Sequence, residues 1–170
     1  CAVFVTLCSR AEAQQPKIVP RIGFLLAVPA STISARLEAF RQGLRELGYV
    51  EGKNIAIEWR STEGKADRLP TPAAELVRHK VDVIVSGGPP PTRSAKQATS
   101  TIPIVMGYDD DPVGSGFVAS LAHPGGNITG FTFIDFPLIG KWLEMLKEIA
   151  PDVRRMTLMF NPDSAPFYPV

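Results

Sequence analysis

Apolar runs of strand length alternate along this chain with segments of helical periodicity, and that alternation limits the possible folds more than any other feature. "RIGFLLA", from residue 21, is a continuous apolar run suited to a strand buried on both faces. In "SARLEAFRQGLRELG", Leu37, Phe40, Leu44 and Leu47 fall on one helical stripe, with Ser34 placed to cap the start and Gly48 to stop the end. "NIAIEWR" alternates Ile55, Ile57 and Trp59 with polar neighbours, the pattern of a half-buried strand. "ADRLPTPAAELVRHK" holds a helix whose main body follows Pro72. "VDVIVSGG" is a further buried strand, "TRSAKQATS" a short helix and "IPIVMGY" a fourth strand. "PVGSGFVASLAH" reads as a helix started by Pro112, "HPGGN" as a turn and "NITGFTFI" as a fifth strand. "LIGKWLEMLKEIAP" aligns Leu138, Trp142, Leu146 and Ile149, and "RRMTLMFNP" reads as a sixth strand.

Strands alternating with helices predict an α/β fold, a doubly wound parallel sheet with crossover helices, in strand order 2-1-3-4-5. Open parallel sheets bind ligands beyond the carboxyl ends of their strands, so the loops at 28–34, 86–92, 107–113 and 133–137 are the places to look. At 170 residues, 45% hydrophobic and 21% charged, the chain can bury about one domain's core. Its net charge of +1 is spread over dispersed lysines and arginines, which argues against a nucleic-acid partner.

The first residues carry a different signal. "CAVFVTLC" is an apolar run followed by "SRAEA", and Ala11 and Ala13 are small residues at the two positions that a signal peptidase reads. Residues 1–13 are therefore expected to be the back half of a secretory signal peptide, with 14–20 a spacer. The run is far short of the ~20 residues needed to span a bilayer. Cleavage after Ala13 would remove Cys1 and Cys8, leaving no thiol for a disulfide, a nucleophile or a metal site. The expected location is periplasmic or otherwise extracytoplasmic.

One motif invites an enzymatic reading. Gly114-Ser115-Gly116-Phe117-Val118-Ala119 fits G-x-G-x-x-G/A, and Asp135 lies beyond it at about the distance of a ribose-binding acid. The context fails, because residues 107–113 intervene between strand and first glycine and three aspartates would repel a pyrophosphate. Gly114 and Gly116 are better explained by close packing of a helix on the sheet. Asp109-Asp110-Asp111 offers oxygen ligands to Mg²⁺ or Ca²⁺, but consecutive residues converge poorly on one ion. Capping by Asp111 fits better, leaving another of the three to meet a ligand ammonium. "SGGPPPT" at 86–92 is a strand end with exposed N–H groups that suit an anion, although its prolines remove donors. His79, near a helix end, and His123, beside a turn, read as capping or solvated residues. No nucleophile elbow, phosphate loop or histidine pair at metal spacing is present, so no catalytic residue, metal or cofactor is expected.

Several strings taken together carry a family resemblance. "LEAFRQGLRELGYVEGKNIAIEWR", "RLPTPAAELVRHKVDVIV", "AKQATSTIPIV" and "DPVGSGFVASLAHPGGNITG" resemble the extracytoplasmic substrate-binding proteins of ATP-binding-cassette (ABC) transporters. The likeness is to the family with a type I periplasmic-binding fold that includes tryptophan/tyrosine-type binders. It implies two α/β lobes hinged about a cleft that closes on a small solute, an amino acid or other small organic molecule, for delivery to an ABC permease. It implies no catalysis. Residues 21–152 would form the first, ligand-binding lobe, and 153–170 the opening strand of the second, so that the chain stops short of a whole two-lobe protein.

Asp111-Pro112 matches the family's usual Asp-Pro after the fourth strand, and Gly88 the glycine after the third. Where the family commonly has Gly-Thr-Pro, this chain has Gly88-Pro89-Pro90, which lacks a hydroxyl and an N–H able to hold a carboxylate unless Ser86 or Thr92 substitutes. The expected ligand contacts are Ser31, Thr32, Ser86, Gly88, Thr92, Tyr108, Asp109 and Phe133, with Tyr108 and Phe133 able to stack on an aromatic solute. Two other classes use related folds. A ligand-responsive regulator would carry a basic helix-turn-helix before the first strand, and a nucleotide-dependent α/β enzyme would need Gly114 to begin at a strand end.

Overall fold

The computed structural model describes residues 19–132 and 137–157. Residues 1–18, with the signal-like segment and most of the spacer, lie outside the described residues. So do Phe133, Asp135 and everything from residue 158 on, including most of the expected sixth strand.

Residues 21–26 form the first strand, β1 (Arg21–Leu26), followed by a short 3₁₀ turn at Ala30–Ile33 and the helix α1 (Ser34–Glu46). Next come β2 (Ala56–Ser61), α2 (Pro70–Arg78), β3 (Val83–Ser86), α3 (Pro89–Ala98) and β4 (Ile104–Asp109). The described elements end with β5 (Ile128–Thr132) and α4 (Pro137–Ile149). The five strands pair in the order β2-β1-β3-β4-β5, every pair parallel, which is the doubly wound order expected from the sequence.

Alternation along the strands divides the side chains between two faces. Leu25, Ile84, Ile104, Met106 and Ile128 point to one, where Leu69, Ala73 and Leu76 at α2 and Ala95 of α3 complete a buried core. A Cβ on Gly23 would sit 2.9 Å from Leu76 Cδ2, so the missing side chain lets α2 seat directly on β1. Phe24 and Leu26 point to the other face, where α1 supplies Leu37 and Phe40. There Phe24 stacks on Trp59 of β2 at 4.8 Å and meets Phe40 edge-on at 5.2 Å. A polar cluster ties the sheet's edge to α2: Glu58 Oε2 lies 2.5 Å from His79 Nδ1 and 3.3 Å from Arg60 Nη2, and Arg60 Nε donates to Glu75. His79 is thus a structural partner at the end of α2.

Several local expectations need correction. Ser34 is the first residue of α1 and not its cap; Ile33 holds the cap position and no side chain caps this end. Leu47 is 76% exposed, outside the stripe assigned to it, because α1 ends at Glu46. α2 starts at Pro70, ahead of Pro72, and α3 starts at Pro89, three residues before Thr92. First-turn N–H groups have no partner within a helix, so proline is tolerated there.

The largest correction lies at 112–123, where turns replace the expected helix. Asp111 Oδ1 accepts the Gly114 N–H at 2.8 Å and Asp111 O accepts that of Ser115, while the Phe117 N–H turns back to Pro112 O. Gly116 has φ +69°, outside helical geometry. The segment is apolar because Phe117 and Val118 plug the core, with Lys96 Nζ donating to Gly116 O from α3. α4 forms as expected, yet Trp142 and Ile149 from its apolar stripe are exposed, and residues 153–157 carry no strand.

Candidate functional site

The carboxyl ends of β1, β3 and β4 open into a cavity of about 580 Å³. Alternation builds its floor, because Phe24, Leu26 and Val85 lie on the α1 face of the sheet and α1 itself covers only part of that face. Ile33, Leu37 and Phe40 form the wall on the α1 side. Tyr108 and the start of α3 form the other wall, with Ala27, Val28, Gly87 and Gly107 between. Two charged side chains reach this apolar space: Arg36 from the first turn of α1 and Asp110 from the end of β4. Neither forms an ion pair with any described residue.

The β3–α3 corner is built from residues the sequence singled out. Ser86 Oγ and Thr92 Oγ1 are buried and 2.7 Å apart, and Thr92 Oγ1 donates to Gly88 O at 2.9 Å. Ser86 lines the cavity, but its hydroxyl is held by Thr92, so this pair fastens the strand end to the helix start. Gly88 has φ +110°, and a Cβ there would meet the Tyr108 hydroxyl at 2.7 Å. Glycine is required both for the backbone conformation and for the approach of the tyrosine ring. Pro89, Pro90 and Pro91 then occupy the first turn of α3, and the Thr92 N–H closes on Gly88 O at 3.1 Å. No first-turn N–H of α3 remains to meet a ligand, since proline has none.

Asp109 lies behind this wall. It is fully buried, its Oδ1 accepts the Asp111 N–H at 2.8 Å, and its Oδ2 has no partner among the described residues. Burial raises its pKa above the ordinary carboxylate value, more than the Asp111 N–H lowers it, and the charges of Asp110 and Asp111 push the same way as burial. Asp111, expected to cap a helix, caps the turn at Gly114 instead. Among the described residues no group of three or more His, Cys, Asp or Glu gathers as for a metal ion.

The structure therefore brings Ser86 and Tyr108 to the cavity, with Gly88 and Thr92 immediately behind its wall. Asp109 is close by in sequence, and the cavity is lined instead by its neighbour Asp110. Ser31 and Thr32 sit on the exposed 3₁₀ turn, where Thr32 Oγ1 bonds to Pro29 O, and they do not line it. Phe133 lies outside the described residues. Sequence reasoning passed over Arg36, and of the two aspartates it left to meet a ligand ammonium it chose Asp109, whereas Asp110 lines the cavity. Arg36 left one trace, a basic residue in a helix's first turn with no acid beside it. The glycine motif opens no helix and begins five residues past the end of β4, so it lacks the strand–turn–helix setting of a dinucleotide site.

Comparison with known proteins places this geometry in a lineage. Residues 21–167 match the model of a family described as ABC transporter substrate binding protein. A tyrosine-binding protein of Clostridioides difficile (strain R20291) is 31% identical over 140 residues, which cover 82% of this chain and 40% of that protein. Among solved structures, a conserved domain protein from Vibrio cholerae O1 biovar eltor superposes with a TM-score of 0.73 at 30% identity, over 86% of this chain and 49% of that one. The ABC domain in complex with L-Trp from Streptococcus pneumonia gives 0.66 at 27% identity, over 78% and 44%. The chain thus spans half or less of the length of these relatives.

Proposed function

Since the chain belongs to the family of ABC transporter substrate-binding proteins, we propose that the whole protein captures a small organic solute and delivers it to an ABC permease in the membrane. Residues 21–152 serve as the first of two lobes, and 153–170 begin the second. The solute lies between the lobes, and its contacts with both shift the population from open to closed. Such a protein works by capture and release, without a reaction of its own. Residues 1–13 are the remnant of an export signal and 14–20 a spacer, so the protein acts outside the cytoplasm.

One observation supports this reading above the others: an apolar cavity at the carboxyl ends of the parallel strands, lined by two charged groups that form no ion pair among the described residues. Chemistry would call for a nucleophile held by a base, and the hydroxyl pair Ser86–Thr92 is instead committed to the β3–α3 corner. A nucleotide-dependent enzyme finds no support at Gly114, which stands in a turn.

Thermal-shift measurement on the complete protein tests the reading, with amino acids, small carboxylates, nucleosides and dinucleotides as probes. A solute at a hundred times its dissociation constant stabilises by ~2.7 kcal/mol. A shift confined to one small-solute class supports capture. A shift with NAD or FAD would replace the reading with an enzymatic one.

A further inference from the structure

We infer, resting on that solute-binding reading, that the cavity takes a zwitterionic solute with an apolar body and holds its carboxylate on Arg36 of α1, not at the start of α3. A helix start ordinarily offers several N–H donors to an anion. Here Pro89, Pro90 and Pro91 have none, and the Thr92 N–H is spent on Gly88 O. The first turn of α3 beside the cavity therefore offers a carboxylate no free backbone donor.

The cation that can do so is on the neighbouring wall. α1 carries three arginines, and two of them have internal partners. Arg41 bonds Glu51 at 2.9 Å and stands over the Trp59 ring at 4.7 Å, and Arg45 bonds Glu38 at 2.7 Å. Arg36 has no ion pair among the described residues and lines the cavity. It also stands in the helix's first turn, where the dipole favours anions, and no acid accompanies it there. A solute carboxylate supplies what this position lacks, a negative charge that a guanidinium grips with two parallel hydrogen bonds.

Asp110 completes the pattern. It is half-buried, lines the same cavity and forms no ion pair among the described residues, so it is placed to receive an ammonium group. Phe24, Leu26, Phe40, Val85 and Tyr108 line the same cavity and suit a ring or a branched alkyl body. The pair leaves the cavity without net charge, and a zwitterion matches that balance.

Isothermal titration of the complete protein with L-tyrosine and L-tryptophan, beside their decarboxylated counterparts tyramine and tryptamine, tests the assignment. Losing a charged hydrogen-bond partner should weaken binding by about tenfold or more, so an amino acid should bind that much tighter than its amine. Arg36→Gln should erase the preference, chiefly by weakening the amino acid. Arg36→Lys, which keeps the charge but not the fork, should retain part of it. A preference that survives in Arg36→Gln overturns the inference, as does an amine that binds wild-type protein as tightly as its amino acid; in both cases solute capture still stands. Failure of all four probes to bind also overturns it, and capture itself is then decided by the wider panel of solutes.

Discussion

The two faces of the sheet are made by the same strands and behave differently. On the α2–α3 face every core position is closed: Leu25, Leu76, Ile84 and Ile104 have no exposure at all. On the α1 face the closed cluster is smaller, built on Phe24, Leu26 and Leu37. Past them Val83, Val85 and Val105 are half-buried, and Phe131 of β5, which alternation sends to this side, is 69% exposed. The first face supplies packing density, and the second leaves the space in which we propose that a solute binds. Stability and binding are thus assigned to opposite sides of one sheet, and substitutions should separate them.

The largest effect is expected on the closed side. Leu76→Ala empties a fully buried position that also seats α2 on Gly23, and should cost about 3–4 kcal/mol in urea unfolding of the complete protein. Gly88→Ala comes next. It forces a Cβ into a backbone conformation at φ +110° and against the Tyr108 hydroxyl, at a cost of about 1–3 kcal/mol. Because Gly88 stands where the closed side meets the cavity wall, the same variant should also weaken solute binding, measured by titration. An unfolding loss without any binding loss would detach that corner from the site.

Asp109→Asn should act in the opposite direction. Burial raises the folded-state pKa of Asp109 above its unfolded value, so the folded protein holds a proton that the unfolded chain releases. Its contribution to stability is then intact below the unfolded pKa and is lost as pH rises through the raised folded value. Asparagine can still accept the Asp111 N–H and does not ionise. The variant should therefore gain on wild type in melting temperature as pH rises from 4 toward 7, and parallel melting curves across that range would refute the assignment. The smallest effect belongs to the open side, where Phe131→Ser should change unfolding by less than about 0.5 kcal/mol. A loss as large as that of Leu76→Ala would mean that the two faces are not distinct after all.

Much of this architecture was legible in the residues. Apolar runs marked the strands, and their alternation with helices pointed to a doubly wound sheet in the order 2-1-3-4-5. The segment after β4 was misread because its apolar residues fill a plug instead of a helical stripe. Phe117 and Val118 face the core from turns that Asp111 closes with its own carboxylate. At α3, the helix was expected to begin at Thr92, after the prolines, when its first turn accommodates three of them. Arg36 was hidden for another reason. What marks Arg36 is the absence, among the described residues, of a partner such as Arg41 and Arg45 have, and whether another segment supplies one is settled only when the chain folds.

The proline triplet at the start of α3 has a further consequence, for motion. Proline restricts φ in the unfolded chain as well as in the folded one, so this corner has little conformational entropy left to lose. Its wall is stiff before any solute arrives, and the buried Ser86–Thr92 bond fastens it to the sheet. Any adjustment to a guest must come from the rest of the cavity, chiefly the long, exposed side chain of Arg36. A rigid edge opposite a mobile cation gives the site a fixed reference against which the length of a solute can be measured.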